Sequence, residues 1–124
     1  MTNRGVKAYD LQERTARFGR DVIRFAKTAP RNPVTAPLVS QLVRSATSVG
    51  ANYCEADNAE SRKDLNHKLG ICCKEARETG HWRRMVAEAV PELSTAARPL
   101  WQETKELNLI FNASIRTEAS RRGS

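Results

Sequence analysis

The stretch "RSATSVGANYCEADNAES", residues 44–61, decides how this chain folds. From Ser45 to Cys54 it carries no charge and only two bulky apolar side chains, Val49 and Tyr53. It could be a flexible linker, a reactive loop around Cys54, or a helix that its neighbours approach closely. Spacing favours the helix. Leu38, Leu42, Ser45, Val49, Asn52 and Ala56 fall on one stripe, and Val39, Val43, Ala46, Gly50 and Tyr53 form a second beside it. Intervals of three and four mark a helix, and two adjacent stripes give a face wide enough for more than one neighbour. Ala46, Gly50 and Cys54 recur four apart, so close helix or subunit packing is expected there, with Asn52, Tyr53 and Trp82 in the same role. Glycine costs about 1 kcal/mol relative to alanine inside a helix, a cost that a close neighbour explains.

Outward from this segment, punctuation residues divide the chain. "APRNPVTAP" ends a first helix expected over 8–29, because Pro30 and Pro33 cannot continue it; Leu11, Phe18, Val22, Phe25 and Ala29 line its inner face. Thr35 is the expected N-cap of the second helix, 35–59, with Pro37 in its first turn. At "SRKD", Ser61 and Asp64 have capping-box spacing, which predicts a break and a third helix over 61–89. That helix places Leu65, Leu69, Cys72, Ala76, Val86 and Val90 on one face, leaves Cys73 off it, and stops before Pro91. A fourth helix, 95–119, starts near Ser94 or Thr95 with Pro99 near its first turn. It carries Leu100, Leu107, Phe111 and Ser114 on one stripe and Trp101, Asn108 and Ile115 on another, and "SRRGS" follows as a frayed basic tail.

No segment shows sustained strand-like alternation, so the fold class is all-α. Short connections favour an antiparallel up-down-up-down four-helix bundle, a single domain over 1–124. The chain's 124 residues, 40% hydrophobic and 28% charged, suit one globular core. No apolar run is long enough to span a bilayer, and "MTNRGVKAYD" lacks the apolar core of a signal peptide, so no membrane role and a cytoplasmic location are expected. Three cysteines in such a compartment are expected as reduced packing residues.

Catalytic constellations are weak. Glu78 and His81 have the Glu-x-x-His spacing of di-iron bundles, but the second pair such a site needs is missing, since the other histidine, His67, lies on the same helix. Adjacent Cys72 and Cys73 point about 100° apart on a helix and do not share a metal well. No glycine-rich phosphate loop or nucleophile–base arrangement is evident, so no catalytic residue, metal or cofactor is expected.

Charge is more informative. The net charge is +7, and residues 1–33 hold eight Lys/Arg against three acids, residues 60–84 seven against four. On the first helix Arg17, Arg20, Arg24, Lys27 and Arg31 recur at three and four, opposite Phe18, Val22 and Phe25. The third repeats the design with Lys63, His67, Lys74, Arg77, His81 and Arg84, Gly70 taking the intervening slot. Two basic stripes suit a polyanion, with RNA or DNA the natural ligand. The plain alternative is a pair of solvated faces. Trp82 and Trp101 would stack bases if exposed, although apolar burial is the more frequent role. Arg83 falls within the apolar stripe of the third helix and is expected to pair with an acid across the bundle or at a subunit contact. Asn52 and Glu55 are its candidate partners.

The segment "LVRSATSVGANYCEADNAESRKDLNHKLGICCKEARETGHW", residues 42–82, resembles the 23S ribosomal-RNA intervening-sequence proteins. The similarity extends through "YDLQERTARFGRDVIRFAK" and "RPLWQETKEL". The resemblance implies a small bacterial four-helix bundle, similar to members that assemble as ring-like pentamers, and an RNA connection. The fold also looks like the accessory variability protein of diversity-generating retroelements, a basic pentameric bundle that works with a reverse transcriptase. Positions recurrent in the family include Arg44, Asn52, Glu55, Glu60, Lys74, Glu75, Glu78 and Trp82, and Arg83 stands where the family tends to carry a bulky aliphatic residue. The expectation is a non-enzymatic homo-oligomer, pentameric by resemblance, that binds RNA or DNA; the alternative is a protein-interaction adaptor, for example for a reverse transcriptase.

Overall fold

In the computed structural model, residues 3–123 are described for the backbone and residues 11–117 for side-chain surroundings. The elements are α1 (Asn3–Lys27), α2 (Thr35–Asp57), α3 (Arg62–Ala89), a 3₁₀ turn (Pro91–Leu93) and α4 (Ser94–Gly123). No strand occurs among the described residues. The described residues are all-α, with four α-helices. Each helix packs on the next in sequence and α4 also touches α1, whereas α1 and α3 do not meet among the described residues. Around the core the helices follow the order α1, α2, α3, α4.

Local chemistry sets the helix ends. Asn32 begins α2, its Oδ1 accepting from the backbone N–H groups of Val34 at 3.0 Å and Thr35 at 2.9 Å. Thr35 is therefore not the cap. It is the first helical residue and is buried. The α3 start follows the capping-box spacing: Asp64 N–H donates to Ser61 Oγ at 3.0 Å. Pro99 lies deeper in α4 than its first turn. The residue four before it, Thr95, loses one helical hydrogen bond, which an exposed position tolerates. Where a tail was expected, α4 runs on to Gly123, because no proline or capping residue stops it; Ser124 lies outside the described residues.

Phe18, Val22, Leu42, Val49, Val86, Leu107 and Phe111 form the centre of the core. Burying side chains of this size contributes roughly 1.5–3 kcal/mol each. The core also holds hydroxyls. Ser45 Oγ and Thr79 Oγ1 lie 3.0 Å apart between α2 and α3, and each also reaches a carbonyl of its own helix, Leu42 at 3.1 Å and Glu75 at 2.7 Å. On α1, Thr15 donates to the Gln12 carbonyl. On α4, Thr104 donates to that of Leu100. These bonds avoid the 1–3 kcal/mol that an unsatisfied buried hydroxyl costs, by about that order.

Among the residues expected in tight contact, Ala46 and Tyr53 are buried, the Tyr53 ring 6.2 Å from that of Phe111. Asn52 is half-buried and spends its amide on the Ser48 carbonyl at 2.8 Å. Cys54 departs from the expectation. It is exposed at the rim, its sulfur 3.9 Å from the Gln12 amide nitrogen. Cys73 departs the other way. It is buried, its thiol donating toward Asn112 Oδ1 on α4 at 3.7 Å, because α3 is covered by α4 as well as α2. Cys72 is fully buried, and its thiol points to the Val49 carbonyl at 3.7 Å.

Gly50 faces the backbone of Thr15. A methyl group there would sit 3.5 Å from the Thr15 carbonyl, an ordinary contact. Space therefore exists for alanine but not for a longer side chain. Gly50→Ala is expected to be neutral or to stabilise by up to about 1 kcal/mol, whereas Gly50→Leu should cost about 1–3 kcal/mol. Urea unfolding curves of the two variants check both signs.

Desolvation pushes the Cys72 thiol up from 9.0 to about 12. In folded protein only Cys54 should react promptly with a thiol reagent, Cys72 and Cys73 waiting for unfolding. Between pH 9.0 and about 12 the unfolded chain ionises Cys72 while the folded chain does not. Folding stability should therefore fall as pH rises through that window, and it should fall less in Cys72→Ala when each variant is compared with its own neutral-pH value.

Candidate nucleic-acid interface

Arg17, Arg20, Arg24 and Lys27 on α1, and Arg31 just beyond it, are all exposed. Two of them are partly neutralised within the helix. Arg20 meets Glu13 at 3.2 Å and Arg24 meets Asp21 at 3.4 Å. Exposed pairs of this kind are worth about 0–1 kcal/mol and are readily exchanged for another anion.

The α3 stripe is more open. Lys63, His67, Gly70, Lys74, Arg77, His81 and Arg84 are all exposed, and none of its lysines or arginines forms an ion pair among the described residues. Most of the neighbouring acids are engaged elsewhere; Glu88, one turn beyond Arg84, is exposed and closes the stripe with a negative charge. Arg44 of α2 draws Glu78 to 2.9 Å and Glu75 to 3.4 Å, both beside the stripe on α3. On α4, Glu103 and Glu106 turn to Arg14 of α1, whose guanidinium grips Glu103 through two contacts of 2.7 Å and reaches Glu106 at 3.0 Å. The hydrogen bond to Glu103 raises the Arg14 pKa above its ordinary value. Glu55 of α2 takes Lys68 at 2.8 Å.

This sorting leaves a cleft of about 610 Å³ between α3 and α4 that no acid lines. Arg77, His81 and Arg84 of the stripe enter it, joined by Arg83, Trp101, Thr104, Lys105 and Asn108. Arg83 has no acidic partner among the described residues, contrary to the expectation from its place on the helix. Both candidates lie on α2 and are occupied, Glu55 by Lys68 and Asn52 by the Ser48 carbonyl. Arg83 faces α4 instead, its guanidinium carbon 5.4 Å from the Trp101 ring centroid. Its Nε is buried with no hydrogen-bond partner among the described residues. Burial first, and Arg84 second, lower its pKa.

Trp101 is 42% exposed rather than packed away. Lys105 Nζ sits 3.8 Å from its ring centroid, so cations hold the indole from α3 and α4. Trp82 is half-buried against the core, with the His81 ring edge-on at 4.8 Å. Glu78 turns to Arg44 and His81 to Trp82, so the Glu-x-x-His pair diverges. Among the described residues no three His, Cys, Asp or Glu side chains come together. No helix there is long and apolar enough to cross a membrane.

Since α1 and α3 do not touch among the described residues, their stripes lie on separate faces of one protomer. Sequence periodicity finds both stripes but misses the cleft. Trp101 and Lys105 stand four apart, a legible ring–cation pair; that Arg77, Arg83 and Arg84 face them depends on how α3 meets α4.

Comparison with known proteins agrees with this fold. A crystal structure of a protein with unknown function from the S23 ribosomal protein family of Bacteroides thetaiotaomicron is similar, with a TM-score of 0.77 and 25% sequence identity. The match covers 89% of this chain and 98% of that one. No curated protein matches the chain. The family described as 23S rRNA-intervening sequence protein matches residues 7–113, most of the sequence. By that match, the chain belongs to the 23S rRNA-intervening sequence protein family.

Proposed function

We propose that this protein is a non-enzymatic, cytoplasmic, nucleic-acid-binding bundle that works as a homo-oligomer. The observation that carries the reading is the α3 stripe, whose lysines and arginines are exposed and unpaired among the described residues and lead into an acid-free cleft. A polyanion gains most where cations are not already neutralised, because each phosphate contact releases condensed counterions. The α1 stripe is the secondary surface, since its arginines Arg20 and Arg24 already hold acids. The family description names ribosomal RNA, and the S23 neighbour belongs to a ribosomal protein family, which makes RNA the first ligand to test.

The helices are read as an antiparallel up-down-up-down bundle. Arg44 pairs with Glu78 while Glu55 pairs with Lys68, so α2 and α3 run against each other. Self-association, with a ring-like pentamer favoured by resemblance, is supported by exposed apolar side chains on three parts of the surface: Ile23, Val34 and Leu109. Ile23 borders a cleft between α1 and α2 that Val39 and Val43 also line. The same apolar cleft favours a second reading, an adaptor for a protein such as a reverse transcriptase.

Replacing Lys74, Arg77 and Arg84 together with glutamine should weaken RNA binding and lower the slope of log affinity against log salt by about 0.7–0.9 per lost phosphate contact. The Arg17, Arg20 and Arg24 triple variant should show a smaller loss. Fluorescence polarisation across a salt series checks both, and an unchanged slope in the α3 variant counts against the stripe. Light scattering at micromolar concentration should give a mass several times 13.9 kDa. A stable monomer contradicts the oligomer.

A further inference from the structure

We propose that the cleft between α3 and α4 seats one unpaired nucleotide of a single-stranded nucleic acid, with its base against Trp101 and its phosphate against Arg83. The inference rests on the nucleic-acid reading and deepens it by naming the strand type and the seat.

Three observations converge on this cleft. Its charged residues are cationic, with Arg77, Arg84 and Lys105 around the mouth and no acid in the lining. At its wall Arg83 offers a buried Nε–H donor without a partner, and Asn108 offers a buried Oδ1 acceptor without one, among the described residues. A bare anion meets only the first of these. A nucleotide carries acceptors on its phosphate and donors on its base or sugar, and so meets both. The third observation is Trp101, an exposed indole with Lys105 Nζ 3.8 Å from its centroid.

Lys105 is an exchangeable cover. A lysine–ring contact at an exposed site is worth less than base–aromatic stacking, and the displaced ammonium finds a phosphate. The bases of a duplex are already stacked and paired, leaving no free face for Trp101. The cleft therefore selects single strands, whereas the α3 stripe holds phosphates of either form.

The test uses Trp82→Phe, which leaves Trp101 as the sole tryptophan. Its emission is followed while the full chain is titrated with a short oligouridine RNA, a duplex of equal length, and polyglutamate of matched charge. Single-stranded RNA should quench Trp101, and the other two should leave it nearly unchanged. In a second arm, Trp101→Leu should weaken single-strand affinity by about 5- to 100-fold while changing duplex affinity less than twofold, roughly. Arg83→Gln should weaken it by about tenfold. If Trp82→Phe does not fold, since Trp82 packs on the core, the difference between the native chain and Trp101→Leu assigns the signal.

RNA binding without a Trp101 response overturns the cleft and leaves the stripe reading intact. Equal quenching by duplex or by polyglutamate overturns it too, since the cleft then reads charge alone. Failure of every nucleic acid to bind overturns both proposals.

Discussion

The close approach of α2 to its two neighbours is the constraint on which the rest depends. On one side the backbone of Thr15 passes over Gly50, and on the other Ser45 meets Thr79 while Cys72 reaches the Val49 carbonyl. Small side chains make these distances possible. The Ser45–Thr79 contact adds a polar link between α2 and α3, while each hydroxyl keeps a carbonyl of its own helix within reach. With α2 and α3 linked in this way, Arg44 lies between Glu75 and Glu78.

Charge on the surface follows from that arrangement. Arg14 and Arg44 each gather two carboxylates across a helix boundary, and the four acids they gather stand close in sequence to the cations Lys74, Arg77 and Lys105. The net charge of +7 is thus concentrated by packing as well as by composition. Had Glu78 or Glu103 pointed into the α3–α4 cleft, its arginines would have been paired internally and the cleft would be an ordinary solvated groove.

Much of this was legible in the sequence, and the failures share a cause. Spacing of three and four identified the inner faces, and the basic stripes were visible because a helix places such residues on one side by its own geometry. The cap at Asn32 is hard to read because the proline-rich context and a threonine at the right place point to Thr35; the Asx side chain three residues earlier supplies the acceptor oxygen. Cys73, Arg83 and Trp101 depart from expectation because each sits at the edge of a stripe, where burial depends on the angle at which the next helix arrives. That angle is a property of two faces together, and a single periodicity does not contain it.

The Arg14 fork has one more consequence. Among the described residues α1 and α4 touch least of the neighbouring pairs, and the fork spans that seam with both partners about three-quarters shielded, Arg14 at 24% and Glu103 at 26% exposure. Arg20 and Glu13, at 50% and 62%, stand in solvent. Rising ionic strength shortens the reach of charges in solvent far more than of charges held under side chains. Concentrated electrolyte therefore unlatches the outer pairs of α1 first, baring Arg20 and Arg24, while the fork goes on closing the circle of helices.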